Sequence, residues 1–215
     1  MPLLTRATSS VRLAVASSVI AAAVAAITAC SGGEPAGTAA FTAYDFALTD
    51  PAGDTLVHAD TAPHPSLDVT GISGSVNALS LVVRLTFTRP VAPWSAQTAG
   101  SVDGFVDLDV DENSATGIPG AASEYGGSAP LGSDYYIDLR DVSAGHVALR
   151  RVTSGTSSPE WAVAATWSGS TMEITIPRSL LSDPDGQFRL SAVVGNADIP
   201  ATDFAPSDGY YRVAR

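Results

Sequence analysis

Short runs of alternating apolar and polar residues recur from position 41 to the C-terminus, separated by clusters of Gly, Pro, Ser, Asn and Asp. A period of two places successive side chains on opposite faces of a strand. The strongest run is LSLVVRLTFT at 79–88, with Leu79, Leu81, Val83, Leu85 and Phe87 on one face and Pro90 and Pro93 ending it. Further strands are predicted at 41–48, 67–72, 102–110, 134–140, 146–152, 161–167, 171–176, 188–194 and 210–213. Ser168, Gly169 and Ser170 join two of them as a hairpin, and the Gly/Ser-rich stretch 71–77 reads as a turn. Residues 177–181, PRSLL, suit one helical turn with Pro177 at its first position. No long amphipathic helix and no internal repeat is present. The pattern predicts an all-β fold, a single antiparallel β-sandwich of about ten strands over residues 41–215.

The first 40 residues follow other rules. Arg6 and Arg12 precede an uncharged stretch, 13–29, rich in Ala, Ser and Val. It is too short and too rich in small residues for a membrane span, and it has the form of a signal peptide over 1–29. It ends in Ile27, Thr28, Ala29 and Cys30, and Cys30 is the one cysteine of the chain. This resembles the lipobox of bacterial lipoproteins, whose cysteine is lipidated and becomes the new N-terminus. The alternative is an ordinary cleaved signal followed by an unrelated cysteine. Residues 30–40 then form the lipidated cysteine and a flexible tether. The resemblance implies a membrane partner through Cys30 and an envelope location. With Ser31 after the cysteine, it implies the outer membrane in a host with two membranes.

Charge sharpens the picture. The chain has 11 basic residues, all arginine, and 22 acids; loss of Arg6 and Arg12 leaves nine arginines and a net charge of −13. Such a surface repels nucleic acid and attracts divalent cations. With Cys30 committed to lipid, no disulfide is available, so the core and any bound ion must hold the fold.

The densest acid cluster is FVDLDVDENSATG at 105–117. Phe105, Asp107, Asp109 and Asp111 share one strand face, and Val106, Leu108 and Val110 the other. Like charges on one face repel and need an offset. Asp109, Asp111 and Asn113, two residues apart where the strand enters a turn, offer hard oxygen ligands at a spacing that suits calcium. It is not an EF-hand loop, because Ser114 and Gly120 stand where glycine and glutamate are required. The alternative is an exposed acidic strand end with a polar turn.

No chemistry of an enzyme is evident. There is no G-x-S-x-G elbow, no H-E-x-x-H pair and no phosphate-binding glycine loop. Clustered acids at ion-loop spacing favour a cation over acid–base work.

Several motifs taken in order, DPAGD at 50–54, the acidic strand, SDYYIDL at 133–139, the hairpin ending in ITIPRSLL, and DFAPSDG at 203–209, resemble the DOMON-like β-sandwiches related to family-nine carbohydrate-binding modules. The resemblance covers most of 45–215 and implies a jelly-roll-like sandwich with bound calcium. It carries the calcium motif to Asp109, Asp111 and Asn113, with Asp134 completing the site from a neighbouring strand. It also suggests a second acidic group where the ends of the domain meet: Asp50 and Asp54 with Asp203 and Asp208. There the alternative is turn carboxylates capping backbone amides.

For ligands, the resemblance implies carbohydrate first, stacked on exposed aromatic rings. Trp94 in a Pro-rich loop, Tyr125 and Tyr136 are the candidates. Trp161, Trp167 and Tyr135 share faces with aliphatic residues and belong to the core. One rival is a structural or protein-interaction module docked on another envelope protein, with no small ligand. Another is haem, whose axial ligands would come from His58, His64, His146 and Met172; Met172 alternates with Ile174 and Ile176 as a core residue does, so haem is disfavoured.

Overall fold

The computed structural model describes residues 41–56, 66–96, 98, 100–120, 130–153, 156–183, 185–199 and 201–215. The predicted leader, Cys30, the tether, His58, His64 and Tyr125 lie outside the described residues.

Eleven strands among the described residues join one continuous sheet: β1 (Tyr44–Thr49), β2 (Val69–Val76), β3 (Ser80–Phe87), β4 (Asp103–Asp109), β5 (Tyr135–Ser143), β6 (His146–Thr153), β7 (Thr156–Ser168), β8 (Thr171–Pro177), β9 (Phe188–Gly195), β10 (Asp203–Ala205) and β11 (Tyr211–Val213). Their order is β1-β2-β3-β8-β7-β6-β5-β4-β9-β10, with β11 also on β9, and every strand pairing is antiparallel. The sheet curls until it nearly closes, so its inner face wraps one core. This is the all-β, sandwich-like fold that the alternation predicts.

The core follows from period-two patterning. Leu81, Val83, Leu85 and Phe87 of β3 interleave with Met172, Ile174 and Ile176 of β8, all buried, while Val82, Arg84 and Thr86 turn outward. Burial of each such side chain contributes about 1.5–3 kcal/mol. Tyr135, Ile137 and Leu139 line the same core from β5, as predicted, and Trp161 and Trp167 pack against it half-buried. A 3₁₀ turn, Arg178–Leu180, stands where PRSLL predicts one.

Three details depart from the sequence reading. The stretch 71–77 is mostly strand: Gly71 and Gly74 sit inside β2. A Cβ on Gly74 would lie 1.8 Å from the Val82 carbonyl oxygen and 2.7 Å from the Phe46 ring. Glycine there permits close backbone approach rather than a turn. Leu79, expected to face the core, is 82 % exposed on the β2–β3 turn. The short strand β10 had no alternating run to announce it.

The outer face of β4 and β9 is not solvated. Val193, Ala201 and Phe204 form a second small core there, with Leu56 and Phe105 packed against it. Asp103, Asp107 and Asp109 of β4 are buried as well, Asp107 beneath Ser133 and Asp109 beside Arg189.

Candidate metal centres and an outer-face site

At the end of β4 the chain turns through Glu112, whose φ is +53°. The turn brings carboxylate oxygens of Asp109, Asp111 and Asp134 within 4.8 Å of one another. The Asp134 N–H donates to Leu108 O at 2.9 Å, which fixes the loop beside β4. Asp134 Oδ2 accepts from the Val110 and Asp111 N–H groups at 3.0 and 3.3 Å. Asp109 accepts from Asn113 N–H at 3.2 Å and from Arg189 Nη1 at 3.3 Å. Thr116 Oγ1 donates to Asp111 at 3.0 Å. Burial pushes the Asp109 carboxyl up to about 6, with the contact to Asp111 adding to it and Arg189 opposing it. Burial likewise raises Asp134. Three of the four predicted residues therefore converge. Asn113 is used differently: its Oδ1 accepts from Ala115 N–H at 3.1 Å, which caps the turn.

The second predicted group gathers at the seam where the curled sheet meets itself. Carboxylate oxygens of Asp50, just after β1, Asp54, and Asp203 in β10 lie within 4.8 Å of one another. Asp68, just before β2, was not foreseen, and it belongs here. Its Oδ2 accepts from Gly53 N–H at 3.0 Å, and its charge helps raise both Asp50 and Asp203. Asp208 is exposed.

No ladder pairs β10 with β2; individual bonds close the seam. Asp203 Oδ2 accepts from Val69 N–H at 2.7 Å. Thr202 Oγ1 donates to Leu67 O at 2.8 Å and accepts from Leu67 N–H at 3.1 Å. The Tyr211 hydroxyl reaches both Thr49 O and Asp50 Oδ1 at 2.8 Å. Ser207 Oγ donates to Asp54 Oδ2 at 2.5 Å. Burial, reinforced by the neighbouring carboxylates, pushes Asp203 up to about 7 and Asp50 to about 6. The same surroundings raise the Tyr211 hydroxyl. Both groups of acids have the donor chemistry to hold a metal ion.

A third feature lies on the outer face of β5. Tyr136, Asp138 and Arg140 alternate along it, beside Phe105 of β4. The rings of Phe105 and Tyr136 meet edge to face at 5.8 Å. The Arg140 guanidinium lies 4.7 Å from the centre of the Trp94 ring. Two of the three predicted aromatic residues, Trp94 and Tyr136, thus reach one face through Arg140. Trp94 is half-buried, with its Nε1 lacking a partner among the described residues. Arg150 completes the row, bonded to Asp138, Asp141 and Glu160 at 3.1, 2.8 and 2.7 Å.

Met172 is fully buried in the core, and His146 sits exposed on the β5–β6 turn with Nδ1 against Ala144 O. Among the described residues no pair of axial haem ligands faces a common space.

No protein-family model matches the chain, and neither the curated proteins nor the solved structures contain a significant match.

Proposed function

We propose that the chain is an envelope lipoprotein, anchored through Cys30, whose calcium-stabilised sandwich is a binding module for carbohydrate rather than an enzyme. The observation that carries this reading is the outer face of β5. Trp94, Phe105 and Tyr136 supply ring surface, and Asp138 and Arg140 alternate with them on a rigid strand. Rings stack on the apolar face of a pyranose, while carboxylate and guanidinium groups bond its hydroxyls. A sheet holds such groups more precisely than a loop does. An envelope-protein partner would call for a contiguous apolar patch. The large hydrophobics exposed among the described residues are two, Leu79 and Tyr210, too few to form one.

The test is retention of the full chain on a panel of immobilised polysaccharides. Binding to at least one glycan is expected, weakened about fivefold or more in Trp94→Ala and in Tyr136→Ala, since a stacked ring contributes on the order of 1 kcal/mol or more. Melting curves confirm that the variants fold. Failure to retain any glycan, or folded variants that bind as well as the parent, would overturn the reading.

A further inference from the structure

We infer that the seam carries a hard divalent cation of the calcium class, held by Asp50, Asp54 and Asp203 with Asp68 close by, which closes the sheet on itself. The inference shares with the proposed function only the class of ion and does not depend on what the outer face binds.

The first observation is unpaired oxygen. Asp50 and Asp68 are each 6 % exposed, and Asp203 is 1 % exposed. Yet Asp50 Oδ2, Asp54 Oδ1 and Asp68 Oδ1 are buried and find no hydrogen-bond donor among the described residues. A buried carboxylate oxygen without a partner is costly, and native folds rarely tolerate three together.

The second observation is charge. Arg84, Arg140, Arg150, Arg178, Arg189 and Arg212 each pair with an acid elsewhere, and none pairs with an acid of this group. The leading charges acting on Asp203 are those of Asp50, Asp54 and Asp68, all negative. Protonation can neutralise some of these carboxylates, but it cannot supply donors to every orphaned oxygen. A cation can do both.

The donor set names the class of ion. These side chains are all carboxylates, and among the described residues no imidazole or thiolate joins them, which selects a hard cation. Oxygens within 4.8 Å of one another can share an ion at calcium–oxygen distances of about 2.3–2.6 Å.

Position gives the ion its role. Asp50 and Asp54 follow β1, Asp68 precedes β2, and Asp203 lies in β10. These are the two ends of the sheet path, which no ladder joins. An ion bound to Asp50, Asp54 and Asp203 would tie β10 to the segment that follows β1, with Tyr211 setting Asp50 in place from β11.

The experiment compares thermal melts of the full chain in millimolar calcium and in EDTA. Three proteins are needed: the parent, Asp50→Asn/Asp68→Asn at the seam, and Asp109→Asn/Asp111→Asn at the β4 end. The parent Tm should rise with calcium. The seam variant should lose at least half of that rise and, in EDTA, melt no lower than the parent, because repelling charges are gone. The β4-end variant should keep most of the rise. A parent indifferent to calcium, or a seam variant that keeps the full rise, would overturn the inference.

If the seam variant does not fold, terbium emission sensitised in the parent and in Tyr211→Phe decides. Loss of most of the emission in Tyr211→Phe supports the seam, and full retention rejects it. Calcium-dependent melting without glycan retention would leave the seam standing and sink the carbohydrate reading; the reverse pattern would do the opposite.

Discussion

At the end of β4 three aspartates meet an arginine; at the seam, among the described residues, four aspartates meet none. Both groups place three carboxylates within 4.8 Å, and burial lifts Asp109 and Asp134 in one and Asp50 and Asp203 in the other above their ordinary range. They differ in how the charge is offset. Asp109, with no exposed surface, has Arg189 at 3.3 Å and a backbone donor. The loop around it turns backbone N–H groups onto Asp111 and Asp134 as well. That group is close to self-sufficient. The seam instead retains orphaned oxygens. The acid motif most visible in sequence is therefore the one that the fold itself neutralises best.

Removing the arginine should break this contrast with the largest effect. Arg189→Met leaves Asp109 buried beside Asp111 and Asp134 without its paired cation. Loss of one member of a buried pair costs about 3 kcal/mol or more, roughly 10 °C in Tm for a domain of this size. Calcium should then recover part of the loss, because the β4 end would have acquired the seam's problem. Arg189→Lys should retain much of the parent stability. A fall of under about 1 kcal/mol in Arg189→Met at pH 7.5 would show that Asp109 is already neutral without its partner.

The next effect is a pH dependence. Asp203 is pushed up to about 7 and Asp50 to about 6, against an ordinary aspartate value of 3.8. Between about pH 4 and 7 the folded state therefore holds more protons than the unfolded chain, and stability falls as pH rises. In EDTA the Tm should drop steadily from pH 5 to pH 8. In calcium the drop should flatten, since the ion replaces the protons. A chelated protein whose Tm rises over that range would contradict the charge balance drawn for the seam.

Much of this fold could be read from alternation alone. The rows of β3, β5, β8 and β9 are hydrophobic on one face, and that pattern fixes which side is core. The path of the sheet could not be read, because closure depends on contacts between Leu67 and Thr202 and between Val69 and Asp203, more than 130 residues apart. The same long range hid Asp68, a single acid in the short apolar run LDVT, and Arg189, whose role exists only through its register opposite Asp109. Asp109, Asp111 and Asp134 were legible because two of them lie in one local motif and the third opens the adjacent strand. Asp208 entered by proximity in sequence to Asp203. The turn after β10 leaves it exposed, while Asp68 brings the fourth carboxylate.

The smallest effect separates a ligand from a cap. Asn113 sits at the spacing of an ion ligand, yet its Oδ1 accepts from Ala115 N–H and its own N–H donates to Asp111 at 2.9 Å. Those bonds close an Asx turn, a local device that orders the loop without any ion. Asn113→Ala should therefore cost about 0.5–1 kcal/mol, or roughly 2–3 °C, by the measure of other side-chain caps. The loss should be equal in calcium and in EDTA. A ligand would behave otherwise: its removal would shrink the calcium-induced rise and leave the EDTA melt nearly unchanged. Parallel melts of Asn113→Ala and the parent distinguish the two, because a cap stabilises the loop in both media and a ligand acts only through the ion.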